Sequence, residues 1–294
     1  MIQIMLLINR VLSNIKATIV SKILWESGTL HKISNLESEV NSYKQIFSNS
    51  IFNESSELME LNKILKPKKS SVELIRIGSK LDGGYICPTD FKDTEILLSF
   101  GLGDNVTFEK MYLKQTGKKV IGFDPYINEI KIKNFTHKLA KVVGTSPSLE
   151  NRNSSLPELD INSIILSANS QNILLKIDIE GDEYDVIDGL ELALLDNVRI
   201  LVVEFHNISI KYLYGNGKKI FDKLLSRFEI VHLHANNSVG LARLLETPFF
   251  NTVEITFVNK KQYLTTISDK PFYGPTTLDL PNNKYVKEHN FMLQ

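Results

Sequence analysis

The chain is poor in the features that mark disulfide-stabilised, nucleic-acid-binding or membrane-spanning proteins. It contains one cysteine, Cys87, among 294 residues, which excludes an intrachain disulfide framework and a zinc site built from several cysteines. Its 34 Lys and Arg residues are balanced by 34 Asp and Glu residues. A chain-wide basic surface is therefore lacking, and we expect no nucleic-acid partner.

Long hydrophobic runs are lacking as well. No stretch of 18 or more apolar residues occurs, so we expect no transmembrane helix. The apolar start over residues 1–8 is short and follows no charged segment, which argues against a signal peptide. The sequence therefore predicts a cytoplasmic protein.

Residues 1–66 differ from the rest, because their apolar side chains recur at the spacing of amphipathic helices. The charged residues within 1–25 are all basic, which suits packing on the protein itself or peripheral contact with the inner face of an anionic membrane. Residues 30–48 repeat the pattern and predict either docking or a homodimer contact. The apolar positions are Met5, Ile8, Leu12, Ile15 and Ile19, then Ile33, Leu36, Val40, Tyr43 and Phe47.

A basic stretch with a proline, residues 66–71, predicts a domain boundary. We divide the chain into a helical N-terminal extension, residues 1–66, and a main domain, residues 70–294. Strands and helices alternate in the main domain, which predicts an α/β, Rossmann-like fold with a mostly parallel sheet and helices on both faces. The predicted strands are 72–77, 95–100, 119–123, 138–143, 172–179, 199–205, 229–234 and 252–258, and the helices 106–115, 161–168, 184–195 and 218–228. From residue 269 onward we expect an ordered surface loop.

A glycine turn closes the strand at 95–100. Gly101 and Gly103 allow a ligand to approach the backbone closely. Asp124 ends the next strand, 21 residues after Gly103, which is the spacing of an acid that binds the ribose hydroxyls of a nucleotide. The two features together predict an adenosine-type ligand.

The glycine turn lacks the third glycine of a dinucleotide site, and this difference indicates which ligand it binds. A dinucleotide site has a third glycine for the pyrophosphate, but Asn105 stands near that place, and Asp104 would repel phosphate. A positively charged sulfonium fits an acidic turn better, which favours S-adenosylmethionine over NAD and disfavours a nicotinamide oxidoreductase.

A dense acidic motif follows the strand at 172–179. Four acids occur within residues 178–183, more than packing requires. Asp182 or Glu183 would cap the following helix. We expect Asp178 and Glu180 to face the ligand cleft.

The stretch Lys176–Glu183 resembles the signature of FkbM-type methyltransferases, which use S-adenosylmethionine and often O-methylate sugars. A sub-branch of that family has a similar Asp-Gly-Gly and Ser-Phe-Gly pattern, here at residues 82–84 and 99–101 within a likeness over about 72–283. The resemblance implies a class I methyltransferase fold, with cofactor contacts near residues 143–145 and a reacting methyl beside Asp178 and Glu180. The family usually has Asp at Ser99 and Gly at Asn105. The predicted cofactor-binding residues are Phe100, Gly101, Gly103, Asp124, Pro125, Gly144 and Asp178.

Three histidines, His206, His232 and His234, lie at or near the ends of predicted strands. Methyl transfer to a hydroxyl needs a group that accepts its proton, and histidine is suited to this near neutral pH. We predict His206 as the base, oriented by Asp178 or Glu204. An alternative is a divalent cation held by Asp178, His206 and His234. The predicted catalytic residues are His206, Asp178, Glu180, Glu204 and His234.

These inferences predict an S-adenosylmethionine-dependent methyltransferase. Its acceptor would be a hydroxyl of a small molecule, most simply a sugar or glycan precursor. The alternative from another class is a non-catalytic adaptor that binds a partner or membrane through its N-terminal helices.

Overall fold

The computed structural model describes residues 54–144, 156–244 and 247–294. The predictions for residues 1–25 and 30–48, a membrane contact and a homodimer contact, lie outside the described residues. Among the described residues, no helix is long and apolar enough to cross a membrane. These residues fall into two compact units, one of 54–61 with 242–244 and 247–249, the other of the remaining residues. The boundary expected at 66–70 stays a prediction.

Strands and helices alternate along the described residues as far as residue 225, and strands follow from there on. The strands are β1 Lys69–Ser70, β2 Leu74–Gly78, β3 Gly84–Pro88, β4 Ile96–Phe100, β5 Lys119–Phe123, β6 Phe135–Lys138, β7 Lys141–Val143, β8 Glu158–Asp160, β9 Ile173–Ile177, β10 Val198–Phe205, β11 Phe228–Ala235, β12 Ala242–Leu244, β13 Thr247–Phe249, β14 Val253–Asn259, β15 Thr265–Thr266, β16 Phe272–Gly274 and β17 Phe291–Leu293. The helices are α1 over 54–65, α2 Thr107–Thr116, α3 Ile161–Ala168, α4 Glu183–Gly189, α5 Ile208–Tyr214 and α6 Gly217–Leu225.

The central sheet has seven strands in the order β11-β14-β10-β9-β4-β5-β6. The pairs from β10 through β6 are parallel, and β14 runs antiparallel to both β10 and β11. If these seven strands are renumbered by their order along the chain and read from β6 to β11, the order is 3-2-1-4-5-7-6. This is the doubly wound order 3-2-1-4-5-6 with one antiparallel strand inserted. The predicted Rossmann-like α/β fold is confirmed.

The sheet's central strands are buried on both faces. All five residues of β4 and all five of β9 are buried, as expected for parallel strands covered on both sides. The strand order reverses between β4 and β9, and such a switch point opens a crevice at the carboxyl ends of the strands. Both the glycine turn and the acidic motif therefore begin at this crevice.

Some elements differ from the sequence-based predictions. The strand predicted at 72–77 pairs antiparallel with β3, an element the pattern did not reveal, instead of joining the central sheet. The strand predicted at 138–143 divides into β6 and β7, and the short helix α5 was missed. The tail after residue 269 contains a small pair, β16 and β17.

The helix predicted over 184–195 ends at Gly189, where the chain touches another backbone. A Cβ on Gly189 would lie 1.6 Å from the carbonyl oxygen of Gly144. Only glycine at this position allows the end of α4 to pack against the residue that follows β7.

Replacing Gly189 with alanine tests this close approach. We expect Gly189→Ala to lower the free energy of unfolding by about 3 kcal/mol, at the upper end of the cost of overpacking, because backbone must move. The matched control is Gly117→Ala, at the end of α2, where φ is +66° but a Cβ would meet nothing within 4 Å. There only the left-handed conformation is penalised, by about 1–2 kcal/mol. Urea unfolding compares the two variants, and equal losses would contradict the proposed contact.

Candidate active site

A cleft of about 240 Å³ opens at the carboxyl ends of β4, β5 and β9. Five segments meet around it, each contributed by a different strand end or connection. They are Asp82–Gly83, Gly101–Asn105, Phe123–Tyr126, Ala140–Val142 and the residues Lys176, Asp178, Ile179, Glu180 and Asp182. The cleft thus collects both motifs that the sequence marked as ligand-binding.

The glycine turn touches the end of β9 directly. The amide of Asp178 donates to the carbonyl oxygen of Phe100 at 3.0 Å, and a Cβ on Gly101 would lie 1.6 Å from the carbonyl oxygen of Asp178. Gly101 also has a φ of +74°. At Gly103, with a φ of +55°, a Cβ would meet nothing within 4 Å, so the turn is open where it borders the cleft.

Asp124 ties the glycine turn to the end of β5. Its Oδ2 accepts hydrogen bonds from the amides of Leu102 and Gly103, both at 3.0 Å. Its Oδ1 accepts from the amide of Tyr126 at 2.8 Å. The sequence correctly predicted Asp124 at the cleft, but it did not reveal that the carboxylate also shapes the turn.

Not all predicted cofactor-binding residues reach the cleft. Phe100 is fully buried, and its ring packs edge-on against Phe123. Gly144 packs against α4, where a Cβ would lie 2.0 Å from the carbonyl oxygen of Asp185. Ala140–Val142 border the cleft, whereas Val143 and Gly144 do not, and Thr145 lies outside the described residues. The predicted residues that do line it are Gly101, Gly103, Asp124, Pro125 and Asp178.

Asp178 is held by two side chains that the sequence analysis did not assign. The hydroxyl of Tyr85 donates to its Oδ2 at 2.8 Å, and Lys176 Nζ lies 3.4 Å from the same oxygen. Lys176 also donates to the carbonyl oxygen of Gly101 at 2.6 Å. Burial acts to lower the pKa of Lys176, but the carboxylates of Asp178 and Glu109 outweigh it, so that the pKa is raised. The buried ammonium therefore stays charged and joins the two sides of the cleft.

The two departures from the family pattern have structural roles here. The hydroxyl of Ser99 donates to the buried Glu109 at 2.6 Å, so α2 supplies a carboxylate near Lys176. The side-chain amide of Asn105 donates to the carbonyl oxygen of Asp82 at 2.7 Å. Asn105 thereby links the turn between β2 and β3 to the glycine turn.

His206 follows β10 and is oriented by Glu183. Its Nδ1 lies 3.0 Å from Glu183 Oε1, and its Nε2 lies 3.4 Å from Glu180 Oε2. Glu183 is fully buried, and its Oε1 also accepts from the amides of Ile179 and Gly181. A carboxylate only accepts hydrogen bonds, so Nδ1 carries a proton in either charge state of the ring, and Nε2 is an acceptor when the imidazole is neutral.

The orienting residue predicted for His206, Asp178 or Glu204, was therefore wrong. We expected Asp182 or Glu183 to cap the following helix. The Glu183 carboxylate instead accepts from amides of the loop and contacts the imidazole of His206. Burial acts to lower the pKa of His206, but Glu183, followed by Asp178 and Glu180, outweighs it and raises the pKa.

Of the predicted catalytic residues, Asp178, Glu180 and His206 come together. Each offers one ligand atom within 4.8 Å of the others. Glu204 instead groups with Asp82 and Glu254. Its carboxyl group accepts from the side-chain amide of Asn236 at 2.6 Å, and burial, followed by repulsion from Asp178 and Glu254, raises its pKa well above the ordinary range.

His234 lies apart from this group, and its predicted place in the site was wrong. Its ring nitrogens lie 3.1 Å from Glu254 and 3.3 Å from Glu288. The antiparallel strand β14 separates β10 from β11, which puts His234 about 10 Å from β10 in strand spacings. The alternative considered above was a divalent cation held by Asp178, His206 and His234. In the structure Glu180, and not His234, lies beside Asp178 and His206. Binding of a cation there stays a prediction.

Comparison with known proteins bears on this part of the chain. Residues 86–228, from within β3 to the first residue of β11, match the family described as "Methyltransferase FkbM domain". No curated protein matches the chain. A solved structure titled "crystal structure of fibrillarin/Nop5p complex" is 11% identical, with a TM-score of 0.30 over 56% of this chain and 73% of that one, and a likeness so remote carries no argument. The segment that carries the cleft is thus similar to a methyltransferase FkbM domain, which supports a methyltransferase.

Proposed function

We propose that the protein transfers the methyl group of S-adenosylmethionine to a hydroxyl group. The charge of the cleft carries this proposal. Acidic side chains predominate along its wall, and its two lysines, Lys141 and Lys176, are paired with Asp182 at 2.7 Å and Asp178 at 3.4 Å. The acidic residues of the wall are Asp82, Asp104, Asp124, Asp178, Glu180 and Asp182. Such a wall favours a ligand with a sulfonium and an ammonium group over one with phosphates.

The residues present fit the three parts of this cofactor. Asp124 Oδ1 accepts one backbone hydrogen bond and retains capacity to accept another from a ribose hydroxyl. Ala140 and Val142 give an apolar wall for a purine ring. The open backbone at Gly103 leaves space for the amino-acid end of the molecule beside the acids. When bound, S-adenosylmethionine would supply an electrophilic methyl group.

His206 is proposed as the proton acceptor. When the imidazole is neutral, its Nε2 is the acceptor, because Glu183 fixes the proton on Nδ1. Glu180, on the loop after β9, is exposed and can accept a hydrogen bond from an acceptor hydroxyl. Asp178 is held rigidly by Tyr85 and Lys176, and an acceptor aligned against these groups would gain much of the benefit of positioning.

A sugar or glycan precursor is proposed as the acceptor. Carboxylates and imidazole are suitable hydrogen-bonding partners for hydroxyl groups, and the similarity to FkbM domains agrees with this class of acceptor. No contact within the described residues favours the adaptor alternative.

The role of Asp124 is tested by titrating S-adenosylmethionine into the full chain by calorimetry. We expect Asp124→Asn to weaken binding by roughly tenfold or more, because a charged hydrogen bond to ribose is lost. Asp222→Asn, which makes the same change on an exposed residue of α6, should bind as wild type does. Equal affinity of all three proteins would refute the ribose contact.

The role of His206 is tested by turnover as a function of pH. Since the imidazole must be neutral to accept a proton, kcat should fall as the pH drops through the raised pKa of His206. Glu183→Gln removes the carboxylate that raises this pKa, so the acidic limb of the profile should move to lower pH. His206→Ala should lower kcat about 10²–10⁴-fold.

Two controls are needed. Each variant should bind the cofactor as wild type does, and Glu191→Gln, at an exposed position after α4, should keep the wild-type pH profile. The assignment of the base is wrong if His206→Ala turns over at the wild-type rate, or if the Glu183→Gln profile coincides with that of wild type.

A further inference from the structure

A second cavity, of about 310 Å³, lies along β11, which is an edge strand of the central sheet. It shares no lining residue with the cofactor cleft. Val231 and His232 of β11 border it, and its walls come from three further segments and from Leu74. The residues of these segments are 66–69, Ser268, 270–272 and 276–278. The amide of Lys68 donates to the carbonyl oxygen of Ile230 at 2.8 Å, which fixes residues 66–69 beside the strand. We call this cavity the lysine groove.

The lysine groove is positively charged. Lys66, Lys68, Lys69 and Lys270 line it, and none of its lining residues is acidic. Lys68 is paired with Glu229 at 2.7 Å. In the described part of the chain, the ammonium groups of the other three have no carboxylate partner within ion-pair distance. Because the chain as a whole has no net charge, this local excess of cations is not a consequence of composition.

The floor and rim of the lysine groove add groups suited to an organic anion. Pro67 is buried, and Leu74, Val231, Phe272 and Leu278 add apolar surface. Ser268 and Thr277 add hydroxyl groups to the lining.

The polar groups beneath this floor are already balanced within the protein. The ring of His232 is buried, and its Nε2 lies 3.0 Å from Asp279 Oδ1. The Thr276 hydroxyl donates to the same carboxylate at 2.9 Å. The free positive charge of the lysine groove therefore lies on the lysines at its rim.

We propose that the lysine groove binds a phosphate ester. Lys66, Lys69 and Lys270 would hold the phosphate, since ammonium groups form strong, charge-assisted hydrogen bonds to phosphate oxygens. The organic part would rest on the apolar floor. This chemistry occurs in phospholipid headgroups and in soluble phosphorylated compounds. The proposal does not depend on the methyl transfer proposed above, because the two cavities are separate.

The test compares wild type with Lys69→Glu/Lys270→Glu, in the full chain. The control is Lys131→Glu/Lys133→Glu, which makes the same charge change at exposed positions away from the lysine groove. Calorimetry with inorganic pyrophosphate at low and high salt measures binding of a soluble phosphate. Sedimentation with phosphatidylcholine vesicles, with and without phosphatidic acid, measures binding of headgroups, and circular dichroism checks that each variant is folded.

We expect wild type and the control to bind at least one probe, more weakly at high salt, and the Lys69/Lys270 variant to bind it roughly tenfold or more weakly. Binding of pyrophosphate supports a soluble phosphate, and binding of acidic vesicles alone supports a headgroup. The proposal is overturned if wild type binds neither probe, or if the folded Lys69/Lys270 variant binds as well as the control. Residues 1–25 are the same in all three proteins, so a membrane contact through them would not separate the variants.

Discussion

The site depends on one contact, the packing of the glycine turn after β4 on the peptide of Asp178 after β9. The backbones are so close at Gly101 that a Cβ would lie 1.6 Å from the carbonyl oxygen of Asp178. Lys176 spans the same junction, with its ammonium group donating to the Gly101 carbonyl at 2.6 Å. A charge this deeply buried is tolerated only with carboxylates around it, and Asp178 and Glu109 provide them.

Under the proposed function, this contact would join cofactor binding to chemistry. The turn that borders the cleft and the acid proposed to lie beside the methyl group are parts of one packed unit. After Asp178, the loop over residues 179–183 carries Glu180 and places the Glu183 carboxylate against the ring of His206. A single short motif therefore supplies both an acid of the cleft and the residue that orients the proposed base.

The fold and part of the site could be predicted from the sequence for a physical reason. Apolar strands, glycine turns and acids at strand ends are local patterns, and parallel strands bring their carboxyl ends to one edge. Asp124 and Asp178 were found in this way. Contacts set by distant segments were not: Tyr85 reaches Asp178 from a hairpin outside the central sheet, and His234 was misplaced because β14 inserts between β10 and β11, an order that local patterns do not reveal.

The central claim is that the junction of Gly101 and Asp178 forms an S-adenosylmethionine site closed by Asp124. A crystal structure of the full chain with S-adenosylhomocysteine tests it most directly. The account predicts the ribose hydroxyls within hydrogen-bonding distance of Asp124 and the sulfur beside Asp178. Density for the ligand elsewhere, or a ribose that does not contact Asp124, would contradict it.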